Sequence, residues 1–165
     1  EKMNKKGFTV VEFIVSFCLA ATISFLLFQI IVNFKDLYIK GNIETAFETK
    51  KSNMLKLINN DLQTKEIYEI SSCGNNCMQF MFSDTTSKQL KIDNGVIKYD
   101  NYSIKPIDGS TIGDIETTNV HTKTAENYSN SVFSVKIPLK NKISDKDFSI
   151  NFVYLYDDNS TTITY

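Results

Sequence analysis

Hydrophobic patterning divides the chain into three regimes. Residues 8–34 are almost wholly apolar, and residues 13–34 carry no charge. A helix over that uncharged stretch rises about 33 Å at about 1.5 Å per residue. A hydrocarbon core is about 30 Å thick, so the segment is long enough to span it. Residues 36–64 then take up a helical period. Ile39, Ile43, Phe47, Met54, Ile58 and Leu62 recur at spacings of four or seven, while Glu44, Glu48, Lys50, Lys51 and Lys56 fill the other faces. Gly41 is the weak point of this stretch, and a bend there is the alternative to one continuous helix.

From residue 66 the period shortens to two. Residues 67–70 and 78–82 read as strands on either side of Cys73-Gly74-Asn75-Asn76-Cys77. Residues 89–92 and 96–99 flank Asp93-Asn94-Gly95, a hairpin signal because Asn and Gly tolerate positive φ. Phe133, Val135, Ile137 and Leu139 alternate with Ser134, Lys136 and Pro138. Phe148, Ile150, Phe152, Tyr154 and Tyr156 alternate with Ser149, Asn151, Val153 and Leu155. Residues 108–130 are polar and rich in Thr and Asn, which reads as loop with short irregular strands. The expected class is α+β: a long N-terminal helix, membrane-spanning and then amphipathic, packed on a C-terminal antiparallel sheet. The apolar stripe of the helix covers one face of that sheet.

Charge narrows the partners. Lys supplies all 18 basic residues, against 19 acidic ones, for a net charge of −1. Beyond residue 64 the acids outnumber the lysines, so direct nucleic-acid binding is not expected. Lys2, Lys5 and Lys6 precede the apolar run, which predicts a cytoplasmic N-terminus and an outer C-terminal domain. A secretory signal peptide fits poorly. Glu12 would interrupt its core, and cleavage near Ala20-Ala21 would leave residues 23–32 as an exposed apolar end. A lipoprotein signal also fits poorly, since Val15-Ser16-Phe17-Cys18 lacks Leu and small residues before its Cys. Glu12 is the one charged residue between Lys6 and Lys35. Such a charge deep in a bilayer costs about 2.5–3.5 kcal/mol.

Candidate chemistry is sparse. His121 is the single His and lies in a polar stretch, and no phosphate loop, nucleophile motif or metal-ligand cluster is present. Neither an enzyme nor a cofactor or metal is expected. Asp157-Asp158-Asn159 reads as a solvated turn rather than a calcium loop. Cys73 and Cys77 lack the further ligands of a zinc set. Outside the cytoplasm they read as a disulfide closing a tight turn, with two free thiols as the alternative. Cys18 reads as a small hydrophobe within the apolar run. Tyr99, Tyr102, Tyr128 and Tyr154 read mainly as sheet packing, with an adhesive tip surface as the alternative.

The run Lys5-Lys6-Gly7-Phe8-Thr9-Val10-Val11-Glu12 resembles the type IV pilin signature: a short basic leader ending in Gly, then Phe, then a Glu at a fixed offset in a membrane helix. The resemblance implies cleavage between Gly7 and Phe8 by a prepilin peptidase, a membrane aspartic protease, followed by methylation of the Phe8 amine. It divides the chain into a leader (1–7), a transmembrane and assembly helix (8–34), an amphipathic continuation (35–64) and a sheet head (65–165).

The resemblance also implies partners. These are the prepilin peptidase, other pilin or pseudopilin subunits met through the N-terminal helix, a pilus assembly platform, and the membrane before assembly. Glu12 then has a role as the counter-charge to the Phe8 ammonium of a neighbouring subunit. A close opposite charge offsets the cost of burying that ion, and a slip of the helices would separate the two in a low dielectric.

Gln29 stands where many major pilins have a helix-bending Pro, and Ala21 where many have Gly. Leu57-Ile58-Asn59-Asn60-Asp61-Leu62-Gln63 is similar to the Leu-rich, Asp-Leu segment of minor pilins and minor pseudopilins. The implied function is a minor subunit of a type IV pilus, or of a type II secretion or competence pseudopilus. It would sit in the cell membrane and then in a filament on the cell surface. The alternative is a single-pass membrane protein with an extracytoplasmic sensing or scaffolding domain. Only the first requires loss of the leader.

Overall fold

The computed structural model describes residues 9–123, 129–141 and 147–165, except for the side chains of residues 122, 123, 129 and 130. Two compact units divide the chain, Glu1–Ile43 and Glu44–Tyr165. One helix, α1 (Val10–Thr64), contributes to both and continues through Gly41 without a break.

In the first unit every described residue is exposed. α1 is here long and apolar enough to cross a membrane. Two of its hydroxyls are satisfied along the helix itself. The Thr22 hydroxyl donates to the Cys18 carbonyl at 3.0 Å, and Ser24 donates to the Ala20 carbonyl at 2.8 Å. Such back-bonding removes the cost of presenting an unpaired hydroxyl to hydrocarbon.

The second unit is a β-rich head with the C-terminal part of α1 laid against it. Its strands are β1 (Ile67–Gly74), β2 (Cys77–Phe82), β3 (Ser87–Asp93), β4 (Val96–Tyr99), β5 (Tyr102–Ile104), β6 (Ser110–Ile112), β7 (Glu116–Lys123), β8 (Ser129–Ile137), β9 (Leu139–Asn141), β10 (Ile150–Asp157) and β11 (Thr162–Thr164). They form a six-stranded sheet in the order β11-β1-β2-β3-β4-β5, a three-stranded sheet β10-β8-β7 and a pair β6-β9. Phe47, Met54, Ile58 and Leu62 of α1 are buried in one core with Ile70, Met78, Phe80, Leu90, Ile97 and Ile104 of the large sheet and Phe133, Val135 and Phe152 of the smaller one. Phe80 lies at the junction, with ring centroids 6.3 Å from both Tyr99 and Phe152. Phe47 meets Phe148 edge-on at 5.7 Å.

The period-two reading located most of the strands. The Asn94-Gly95 hairpin forms, with φ of 51° and 71° at its two central residues. Four expectations change. Ile39 and Ile43 continue the apolar stripe in sequence but remain 45% and 48% exposed, so burial begins only at Phe47. Most of residues 108–130 is regular rather than loop: β7 runs eight residues as the edge of its sheet, where polar Thr and Asn side chains have solvent on one side. The strand expected through Pro138 stops at Ile137, because Pro has no N–H for the ladder. Leu139 then begins β9 and pairs with β6. Gly113 follows this bend so closely that a Cβ there would stand 2.6 Å from the Pro138 ring.

Finally, the large sheet is not wholly antiparallel. β11 joins β1 in parallel, fixed by the buried Thr161 hydroxyl donating to the Ile67 carbonyl at 2.7 Å.

The turn joining β2 to β3 places Thr85 at φ 67°, a strained value for a β-branched residue. Asp84 holds it there, accepting from the backbone N–H of Thr86 at 2.9 Å, from the Thr86 hydroxyl, and from Lys65 at 3.1 Å. These donors, the Thr86 hydroxyl foremost, pull the Asp84 carboxyl down to about 2. A group with a depressed folded pKa stabilises above its unfolded pKa and loses that contribution as pH falls through the folded one. NMR titration of the Asp84 carboxyl carbon should therefore give a midpoint about 2 in the native protein. Thr86→Val should move it toward 3.8, the ordinary Asp value. An unmoved midpoint would mean that the Thr86 backbone N–H and Lys65 set it without the hydroxyl.

Candidate functional site

The residues singled out by sequence fall at three places. Gly7 and Phe8, the expected cleavage and methylation positions, lie outside the described residues. Thr9 and Glu12 open the first turn of α1. The Thr9 N–H donates to Glu12 Oε2 at 2.9 Å, its hydroxyl donates to the same oxygen at 2.8 Å, and the Glu12 N–H donates back to Thr9 Oγ1 at 3.3 Å. This is a capping box: a Thr cap and a Glu three residues on satisfy each other's orphan donors. Glu12 therefore has two jobs available on one side chain. It closes the helix N-terminus through Thr9, and it presents a carboxylate to the surroundings of an otherwise apolar helix. Sequence reasoning identified the carboxylate and missed its cap, although Thr-x-x-Glu before an apolar run is itself a start signal.

Cys73 and Cys77 are joined as a disulfide, and Cys18 is exposed and free. The disulfide turn is tied down by Asn76, whose backbone takes φ 50°. The Asn76 amide donates to Asp114 at 2.7 Å, and its oxygen accepts the Ile115 N–H at 3.1 Å. The turn is thus fixed to the segment between β6 and β7.

A third cluster was not read as one, although Asp61 stood in the Asp-Leu segment and Tyr99 among the packing tyrosines. Asp61, on the buried face of α1, is 5% exposed. Its Oδ2 accepts from Lys88 of β3 at 2.7 Å and from the Tyr99 hydroxyl of β4 at 2.8 Å. Lys88 also lies 5.8 Å from the centre of the Tyr99 ring. Burial first, and then the Asp61 carboxylate, push the Tyr99 phenol far above its usual range. A readable signal existed: Phe47, Met54 and Asp61 form a line of sevens, so the acid occupies a core-facing position. Chemically the cluster is a clamp holding helix to sheet. The charge of Asp61 is matched by an ammonium whose side chain is 26% exposed.

His121 brings no nucleophile into play. Its Nδ1 is 3.0 Å from Ser131 Oγ and 3.2 Å from both Asp158 oxygens. Serine and carboxylate share one ring nitrogen, whereas a relay to a nucleophile needs them on opposite nitrogens. Asp157 is occupied by its own turn, accepting from the Asn159 backbone at 2.9 Å and side-chain amide at 3.0 Å. Among the described residues no group of three or more His, Cys, Asp or Glu side chains gathers to hold a metal ion. Tyr99 is core, while Tyr102 and Tyr154 pack partly buried against it; Tyr128 lies outside the described residues. Compared with protein-family models, with curated proteins and with solved structures, the chain gives no match.

Proposed function

We propose that this chain is a pilin-like subunit, a minor one, of an extracytoplasmic helical filament. A prepilin peptidase removes residues 1–7 and methylates Phe8. The subunit waits in the membrane with its head outside, and an assembly platform then moves it into a filament through its N-terminal helix. Such a filament serves a type IV pilus, a type II secretion pseudopilus or a competence pseudopilus.

The observation that carries this reading is the Glu12 carboxylate at the start of the exposed, apolar N-terminal part of α1, held by Thr9 just beyond Gly7-Phe8 in sequence. A single-pass anchor has no use for an acid in the first turn of its helix, and one drawn to the bilayer centre would cost about 2.5–3.5 kcal/mol. A filament subunit has a use for it, because cleavage creates an ammonium at Phe8 that must enter a stack of apolar helices.

Mass spectrometry of the N-terminal peptide from the membrane-bound protein tests the proposal. The expected peptide begins at Phe8 and carries one added methyl group. A peptide that retains Lys5-Lys6-Gly7, or one that begins near Ala21, replaces this reading with that of a single-pass membrane protein.

A further inference from the structure

The Cys73–Cys77 disulfide closes over Gly74, Asn75 and Asn76. Constraint of the unfolded chain grows with the length of the closed loop, so a loop this short gains little from it. The bond is better explained by what it positions. Ser72 of β1 stands opposite Met78 of β2, and the next pair is Gly74 with Cys77. Cys73 is therefore the extra residue of a β-bulge. It has no register partner in the ladder, so the covalent link to Cys77 is what fixes its place.

Bulges re-aim the side chains beside them, and here the side chain aimed is that of Asn76. Its polar groups go to three places. The backbone carbonyl accepts the Ile92 N–H of β3 at 2.9 Å, the side-chain amide donates to Asp114 at 2.7 Å, and the side-chain oxygen accepts the Ile115 N–H at 3.1 Å. Gly113-Asp114-Ile115 is the segment that joins β6 to β7. On its far side the Gly113 N–H donates to the Pro138 carbonyl at 2.8 Å, and Ile115 is buried. Asp114 also reaches the end of β11: the Tyr165 phenol is raised by burial first and then by the Asp114 carboxylate. One bolt, Asn76, thus joins the disulfide turn, β3 and the segment that leads into the smaller sheet.

We propose that Cys73 and Cys77 form a redox lock on the head. Closing the bond sets the bulge that aims Asn76 and docks segment 113–115 on the large sheet; opening it releases that segment while both sheets stay folded. Cys73 is half-buried and Cys77 nearly buried, so the Cys73 sulfur is the accessible one. A thiolate of a dithiol reductant attacks it and expels the Cys77 thiolate, which takes up a proton. The second thiol of the reductant then displaces Cys73, leaving two thiols on the protein and a disulfide on the reductant. Closing is the reverse: two electrons and two protons pass to a disulfide-bearing oxidant of the extracytoplasmic space.

Only the oxidant rests on the head's lying outside the cytoplasm; the test uses purified protein and stands apart from that reading. The full chain in detergent micelles is compared by amide hydrogen exchange before and after reduction with a dithiol. The Ile115 amide should exchange about tenfold faster or more once the bond is open. The amides of Phe80 and Leu90, on strands paired at both sides, should keep their rates within about twofold. Asn76→Gly suits the φ of 50° and removes the side chain. It should free Ile115 to the same degree with the disulfide intact, and reduction should then add nothing more. An Ile115 rate unchanged by reduction overturns the proposal. So does equal acceleration of Ile115, Phe80 and Leu90, which would make the bond a general brace, and so does an Asn76→Gly protein that still protects Ile115.

Discussion

Replacing Asp61 with Ala should lower the stability of the head by about 3 kcal/mol, with a fall in Tm of roughly 12 °C. Two losses add. The Tyr99 hydroxyl, on a side chain only 1% exposed, is left without its acceptor, which costs about 1–3 kcal/mol. Lys88 loses its counter-ion, but its side chain is 26% exposed and can reach water, so this part is discounted from the full price of a broken buried pair. Asp61→Asn keeps an oxygen for Tyr99 and should cost about half as much. Tyr99→Phe removes donor and need together, so the Asp61→Ala cost measured in that background should shrink by about 1–2 kcal/mol.

The alkaline limb supplies a second readout. The Tyr99 phenol is raised above the ordinary tyrosine value of 10.0. Its contribution is whole below that pH and is lost as pH rises through the folded value. Asp61→Asn should therefore let Tyr99 ionise at lower pH in an absorbance titration. A loss under about 1 kcal/mol for Asp61→Ala would mean that water already serves this clamp.

Asp61 also marks where sequence patterning ran out. The apolar positions of α1, the Asn94-Gly95 hairpin and the long alternations of β8 and β10 were legible because burial imposes a period on them. Polar segments with the same backbone were not. β7 is a full-length strand made of residues that need not be apolar at a sheet edge. β11 is too short for any period, and its parallel pairing with β1 depends on Thr161, far away in sequence. Asp61 was hidden by its type: a charged residue on a helix is read as solvated, and only its tertiary partners on β3 and β4 make burial tolerable. At the other end of α1 the reverse held. Glu12 was conspicuous because its surroundings are apolar, while its local partner Thr9 drew no notice.

That partner changes what replacing Glu12 should do. Glu12→Gln should leave cleavage at Gly7-Phe8 intact and cut incorporation into filaments by about a hundredfold or more. A shortfall of about 3 kcal/mol per subunit for an uncompensated buried ammonium corresponds to that factor. Gln is as good as Glu at the third position of a capping box, so this variant keeps the acceptor for the Thr9 N–H and removes only the charge. Thr9→Ala does the opposite. It keeps the carboxylate and removes the cap, which is worth about 1 kcal/mol of helix stability, and should reduce incorporation only about fivefold. Quantifying sheared filaments against the membrane pool reads both variants. If the order is reversed, with Thr9→Ala blocking incorporation and Glu12→Gln tolerated, the carboxylate serves the helix terminus and the charge-pair account is wrong. If both variants assemble normally, the acid has no part in assembly. The cost of holding it in the apolar helix would then have to be met by the capping box alone, whose three hydrogen bonds all lie within one turn of the same chain.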